Sequence, residues 1–140
     1  MAKYAEGTTV SVVNSRLEIE KIILRYAGQG AEFAYMQREG SADIVFAAHG
    51  RRVRFTLPLP TMDVGRRQAW VERESMRRWR CLVLAIKAKL EVVESGIASF
   101  EEEFLAHIVN PAGVTVYQAI KNAASDGSRL LPPLQTEEGL

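Results

Sequence analysis

The chain has 140 residues, 47% of them hydrophobic and 25% charged, which suits one buried core and is too short for two comfortable ones. That balance excludes wholesale disorder and a disulfide scaffold: the lone Cys81 has no intramolecular partner, and the longest apolar run, residues 81–86, falls far short of the roughly 20 residues a membrane span needs. A net charge of +1 favours neither a strong polyanion binder nor an acidic mimic of DNA.

The first thirteen residues are polar and β-branched, and residues 8–13 suit a short edge strand or an ordered arm. The opening Met1-Ala2-Lys3-Tyr4-Ala5-Glu6 has no apolar stretch of the kind that drives secretion, so a reducing cytoplasm is the expected compartment. Ser15 and Glu18 have the spacing of a capping box, in which the hydroxyl accepts from the third helical N–H and the carboxylate reaches back. Leu17, Ile19, Ile22, Ile23 and Tyr26 then recur at helical spacing up to Gly28 and Gly30, which predicts a helix over residues 15–27.

Three strand-like runs follow, at 31–38, 41–48 and 51–57, separated by Glu39-Gly40 and His49-Gly50. Two-residue loops ending in glycine between apolar runs predict tight hairpins, and hence an antiparallel meander. Pairing across those turns sets Phe46 opposite Val53 and Ile44 opposite Phe55, with Phe33 and Tyr35 on the same face. The other face carries Ala34, Met36, Arg38, Asp43, Val45, Ala47, Arg52 and Arg54, for solvent or a partner.

Pro58 and Pro60 end the third strand and open a connector reaching about residue 64. From about 65 to 95 there is no proline, and Met76, Trp79, Val83, Ile86, Leu90, Val93 and Ile97 step by three and four as a heptad seam. A helix of some 30 residues is about 45 Å long, more than one small sheet covers, which leaves room for a break near Arg73 or for a homodimer. Gly96 closes it; Ser99 and Glu102 repeat the capping-box spacing and start a helix carrying Phe100, Phe104, Leu105 and Ile108, which Asn110-Pro111 stops. Residues 114–124 predict a last short helix. The expectation is a single α+β domain over 1–128, with an N-terminal helix, a three-stranded antiparallel β-meander, a long amphipathic helix and one or two short C-terminal helices, followed by a flexible or loosely docked tail over 129–140.

Charge is unevenly spread: the middle of the chain is basic and its ends acidic. On the long helix Arg66, Arg73, Arg77, Arg80 and Lys87 fall within one narrow arc beside the apolar seam, an arrangement that can track phosphates. Arg52 and Arg54 of the third strand extend that surface if they share its face, so Arg52, Arg54, Arg73, Arg77, Arg80 and Lys87 form the candidate nucleic-acid site. A solvated face, part-neutralised by Glu72, Glu74, Glu91 and Glu94, accounts for the same pattern. Only Trp70 remains outside the core as a ring on which a base could stack.

Catalytic signals are absent from the pattern. Glu103 and His107 have a spacing metal sites use but lack the third ligand such a site needs; His49 sits in a turn, and Cys81 lies among apolar residues. Gly28-Gln29-Gly30 follows a helix and lacks the lysine and hydroxyl of a phosphate loop. Acids at Glu101-Glu102-Glu103 are what a helix's first turn favours. No cofactor is implied.

Three segments taken together carry a resemblance: Gly50-Arg51-Arg52-Val53-Arg54-Phe55-Thr56-Leu57-Pro58-Leu59-Pro60, Arg78-Trp79-Arg80-Cys81-Leu82-Val83-Leu84-Ala85-Ile86-Lys87-Ala88-Lys89-Leu90-Glu91, and Ser99-Phe100-Glu101-Glu102-Glu103-Phe104-Leu105-Ala106-His107-Ile108-Val109. Across residues 10–114 the chain resembles a family of small phage and prophage proteins of unknown function, which offers no catalytic residues to carry over. The resemblance implies a bacterial cytoplasm and a phage programme, either DNA replication and recombination or interference with host defences. The order helix, three strands, helix also resembles the double-stranded RNA-binding arrangement, with arginines where that module is lysine-rich. The expectation is therefore a non-enzymatic phage accessory protein that binds nucleic acid in DNA metabolism; the alternative is a protein-binding inhibitor of a host defence factor or nuclease, with no membrane partner in either case.

Overall fold

The computed structural model describes residues 5, 7–28, 31–63 and 65–125, and the tail expected from 129 onward lies outside them. Within that range the chain is α+β: α1 (Val12–Ala27), β1 (Glu32–Arg38), β2 (Ser41–Ala48), β3 (Arg51–Pro58), α2 (Gln68–Glu94), α3 (Phe100–Phe104), a 3-10 turn (Leu105–His107) and α4 (Val116–Ser125). No helix among the described residues is long and apolar enough to cross a membrane.

The three strands form one antiparallel sheet in the order β1-β2-β3. His49 and Gly50 have φ of 54° and 71°, the doubly left-handed pair of a type I′ turn, whose twist matches that of the strands it joins. These short turns fix the register, with Phe33 and Val53 opposite Phe46, and Tyr35 and Phe55 opposite Ile44. A side-chain period of two then sends every aromatic of the sheet to one face. The other face carries the eight residues expected there, with Asp43 bonded to Arg38 at 2.8 Å and to Thr56 at 2.8 Å.

The two long helices lie on the aromatic face, α1 over β1 and β2, and α2 beside α1. Trp79, Val83, Ile86 and Leu90 are buried, as their spacing requires, and Leu82 joins them. Each such side chain contributes about 1.5–3 kcal/mol through removal of its surface from water. α2 runs unbroken through Arg73. The seam stops earlier than its spacing suggests: Gly96 turns left-handed at φ 77° and Ile97, beyond the helix, is 78% exposed. α3 closes the core, with its Ser99–Glu102 capping box in place and Phe100 and Phe104 against Phe46. It is shorter than expected, tightening into the 3-10 turn before Ile108 bridges Val53 at the edge of β3.

The start of α1 corrects the sequence expectation. Residues 8–13 form no strand, and the cap is Ser11, whose hydroxyl accepts from the Asn14 N–H at 3.1 Å. Ser15 lies one turn inside the helix, fully buried, with no hydrogen-bond partner for its Oγ among the described residues. Two serines four residues apart both precede an apolar run, and the burial of the second decides between them. A capping hydroxyl and a stranded one respond oppositely to removal. Ser11→Ala should cost about 1 kcal/mol, while Ser15→Ala should be neutral or stabilise by up to about 1 kcal/mol. Urea unfolding midpoints of the two variants check this; a loss at Ser15 as large as that at Ser11 would overturn the assignment.

Candidate nucleic-acid interface

Two of the basic side chains of α2, Arg80 and Lys87, reach α1, where one carboxylate meets both. Glu18 of α1 accepts from both terminal nitrogens of Arg80, at 2.8 and 3.1 Å, and its Oε2 lies 2.6 Å from Lys87 Nζ. Arg80 is only 14% exposed in its side chain, so this contact forms largely out of water, where a paired guanidinium is held firmly. The hydrogen bond from Arg80, reinforced by the one from Lys87, holds the Glu18 carboxyl down from 4.5 to about 2. One turn earlier Glu74 accepts from Arg77 at 3.0 and 2.6 Å and from Arg78 Nε at 2.8 Å. Led by the Arg77 bond, these contacts hold its carboxyl at about 2 as well. Arg78 also donates to the carbonyl of Pro58 at 3.0 Å, tying α2 to the end of β3.

Arg52 and Arg54 stand on the sheet face opposite the helices. Arg52 pairs with Glu32 at 3.1 Å, and Arg54 donates to the Gly113 carbonyl at 3.2 Å. The fold therefore divides the six candidate residues between two surfaces. On α2, Arg77, Arg80 and Lys87 join carboxylates in ion pairs, whereas Arg73 is exposed and makes no ion pair among the described residues.

Arg73 has neighbours of the same character at the N-terminal end of α2. Arg66 and Arg67 are exposed and unpaired with any acid of the described residues, and the Arg66 guanidinium lies 4.2 Å over the Trp70 ring. That stacking occupies the ring on which a base would have lain. Arg67 is the N-cap residue and supplies no side-chain bond to the first turn, leaving this end with the partial positive charge of unsatisfied N–H groups. Thr8 and Thr9 face Trp70, Arg73 and Met76 across a shallow cleft. Arg67 was not among the sequence candidates; its place outside the helical arc hid it, and the basic pair Arg66-Arg67 at a helix start was the available signal.

The histidines and the cysteine do other work. His49 shares a hydrogen bond of 2.8 Å with the Tyr26 hydroxyl and packs on Phe100. His107 stacks on Phe55 at 4.2 Å, where burial first and Lys89 second push its imidazole below the ordinary value. Glu103 turns instead to Lys89 at 3.2 Å. Cys81 is half-buried with Arg77 Nη1 3.9 Å from its sulfur. Among the described residues no group of three histidine, cysteine or acidic side chains is arranged to hold a metal ion.

A carboxyl whose folded value lies below its unfolded one stabilises the fold above the unfolded value, and that stabilisation is lost as pH falls toward the folded value. For Glu18 the window runs from 4.5 down to about 2. Glu18→Gln should thus cost about 1–2 kcal/mol near neutral pH, between the worth of an exposed and of a buried pair. The difference from the parent chain should shrink through that window. Unfolding free energies measured at several pH values check both, and a cost that stays constant with pH would exclude the pair as its origin. No protein-family model, curated protein or solved structure matches the chain.

Proposed function

We propose that the chain is a non-enzymatic, phage-encoded accessory protein that binds nucleic acid in the DNA metabolism of its bacterial host's cytoplasm, through the N-terminal end of α2. The observation that carries this reading is the cluster of Arg66, Arg67 and Arg73, exposed and unpaired with acids of the described residues, around the positive end of a 27-residue helix. Three guanidiniums beside unsatisfied backbone N–H groups suit phosphate oxygens, which accept from both. Such contacts position a backbone and carry no sequence information, so the expected binding is salt-sensitive and indifferent to base sequence. With Trp70 already covered by Arg66, duplex is favoured over single strands, whose binders offer open aromatic platforms. The ion-paired Arg77, Arg80 and Lys87 contribute through the stability of α2.

A second reading, the protein-binding inhibitor, is favoured by the part of the outer sheet face that no other described element covers. Ala34, Met36, Val45 and Ala47 make an apolar centre there, with Met36 57% exposed, between the Arg38–Asp43 and Arg52–Glu32 pairs. Apolar centres rimmed by charge are the common form of protein interfaces.

Fluorescence anisotropy of labelled duplex DNA at several salt concentrations tests the first reading. The parent chain should bind at low salt, and Arg66→Gln/Arg67→Gln/Arg73→Gln should weaken binding at least about tenfold and lower the salt slope by roughly 2–3, one for each lost phosphate contact. Arg80→Gln should lower stability and leave the slope unchanged. Absence of binding at low salt, or a slope insensitive to the triple change, would overturn the reading and leave the sheet face as the working surface.

A further inference from the structure

The outer edge of β1 is open. Because Glu39-Gly40 is a two-residue turn closed by Arg38 and Ser41, the pairs Arg38–Ser41, Met36–Asp43, Ala34–Val45 and Glu32–Ala47 exchange the ladder bonds with β2. The same alternation points the backbone N–H and C=O groups of Phe33, Tyr35 and Gln37 away from the sheet. It holds on the far side too, where the outward carbonyl of Arg52 accepts from the Val109 N–H at 2.8 Å and so covers part of the β3 edge. Among the described residues nothing pairs with the edge of β1. It lacks the proline, bulge or inward charge that proteins use to blunt such edges.

We propose that β1 pairs with β1 of a second copy of this chain, antiparallel about a two-fold axis through Tyr35, joining the two sheets into one of six strands. Pairing of outward groups requires odd-numbered residues of one copy to face odd-numbered residues of the other. Centring on Tyr35 sets Phe33 against Gln37 of the second copy and Tyr35 against its own equivalent, each pair exchanging two hydrogen bonds. This register, unlike those shifted to either side, also sets Glu32 opposite Arg38. Both are at least half exposed in their side chains, and each already holds an internal partner of opposite sign, Arg52 and Asp43 respectively. Charge thus alternates from Arg52 to Glu32 to Arg38 of the second copy and, through its diagonal ion pair, to Asp43, and like charges do not meet.

Helix α1 supplies an independent observation. It lies over β1 and β2, and with strands about 4.8 Å apart the two-fold axis brings two α1 helices to about 10 Å, a packing distance for helices. On α1, Val13 and Leu24 stand about 140° and about 120° round the helix from Glu18, on the side away from α2, and are exposed by 51% and 39%. Arg16, on that same side, already leans over the Tyr35 ring of β1 at 4.4 Å. The second copy's α1 covers those two apolar residues while its β1 completes the edge.

The first measurement is mass by light scattering across a wide concentration range of the whole chain, where a dimer is expected. Gln37→Pro removes an outward donor without touching the β1–β2 ladder and should shift the chain to monomer with its circular dichroism unchanged. Glu32→Arg should weaken the dimer at least about tenfold by opposing two arginines, and Glu32→Arg/Arg38→Glu should recover part of that loss, since it mends the contact across the axis while setting like charges against Arg52 and Asp43. Ala34→Cys/Met36→Cys, which places thiols at the close non-hydrogen-bonded pair, should give a covalent dimer on mild oxidation, while Ala34→Cys alone, which reports the shifted register, should not. A monomer at every concentration, or a dimer indifferent to Gln37→Pro and to the charge changes, overturns the proposal.

Discussion

A sheet of three short strands has one face it can bury, and the rest of this molecule is organised around covering it. The two-residue turns leave no slack in register, so Ile44, Phe46, Val53 and Phe55 come to a single surface too large for one helix. α1 and α2 share that surface, and α3 fills the corner under the second hairpin with the stacked rings of Phe100 and Phe104. Once two helices lie side by side on a sheet, polar groups at their seam must be paired, since an unpaired charge there would cost several kcal/mol. Glu18, Arg80 and Lys87 follow from that requirement.

That pairing separates what the composition displays from what the surface offers. A basic arc on a helix reads as a phosphate track when its acids are sought on the same helix. Arg77 does meet Glu74 of its own helix, but for Arg80 and Lys87 the neutralising carboxylate comes from α1, 62 residues away in sequence from Arg80. The cations left without an acid partner among the described residues lie at the start of α2, N-terminal to the stretch that meets Glu18.

Much of the fold was legible because it is local. The glycine turns, the period-two aromatics, the Ser99 capping box and the three-and-four spacing from Trp79 to Leu90 each operate within a few residues, and each held. What could not be read depended on contacts distant in sequence. Ser15 with Glu18 is locally the better capping box, and only the burial of Ser15 and the turn of Glu18 toward Arg80 and Lys87 leave the cap to Ser11. Ile97 continues a heptad count but lies past a left-handed glycine, where helical spacing has no meaning. Of the candidate site, Arg73 kept its exposure; Arg52 and Arg54 were assigned correctly to the outer sheet face, yet linking them to α2 required them to lie on its side of the sheet. Their pairing with Glu32 and Gly113 was invisible without the tertiary arrangement.

The contact between Arg78 and the Pro58 carbonyl has a bearing on how this chain tolerates change. Proline ends the strand, and the helix returns a guanidinium to the acceptor at that point. With the Glu18–Arg80 link two residues farther along the helix, about 3 Å of rise, α2 is located by two anchors that lie outside the segment leading into it. Residues 62–67 therefore join two parts whose positions are already settled. Insertions ahead of Arg66 lengthen a path without moving its ends, and the architecture should tolerate them.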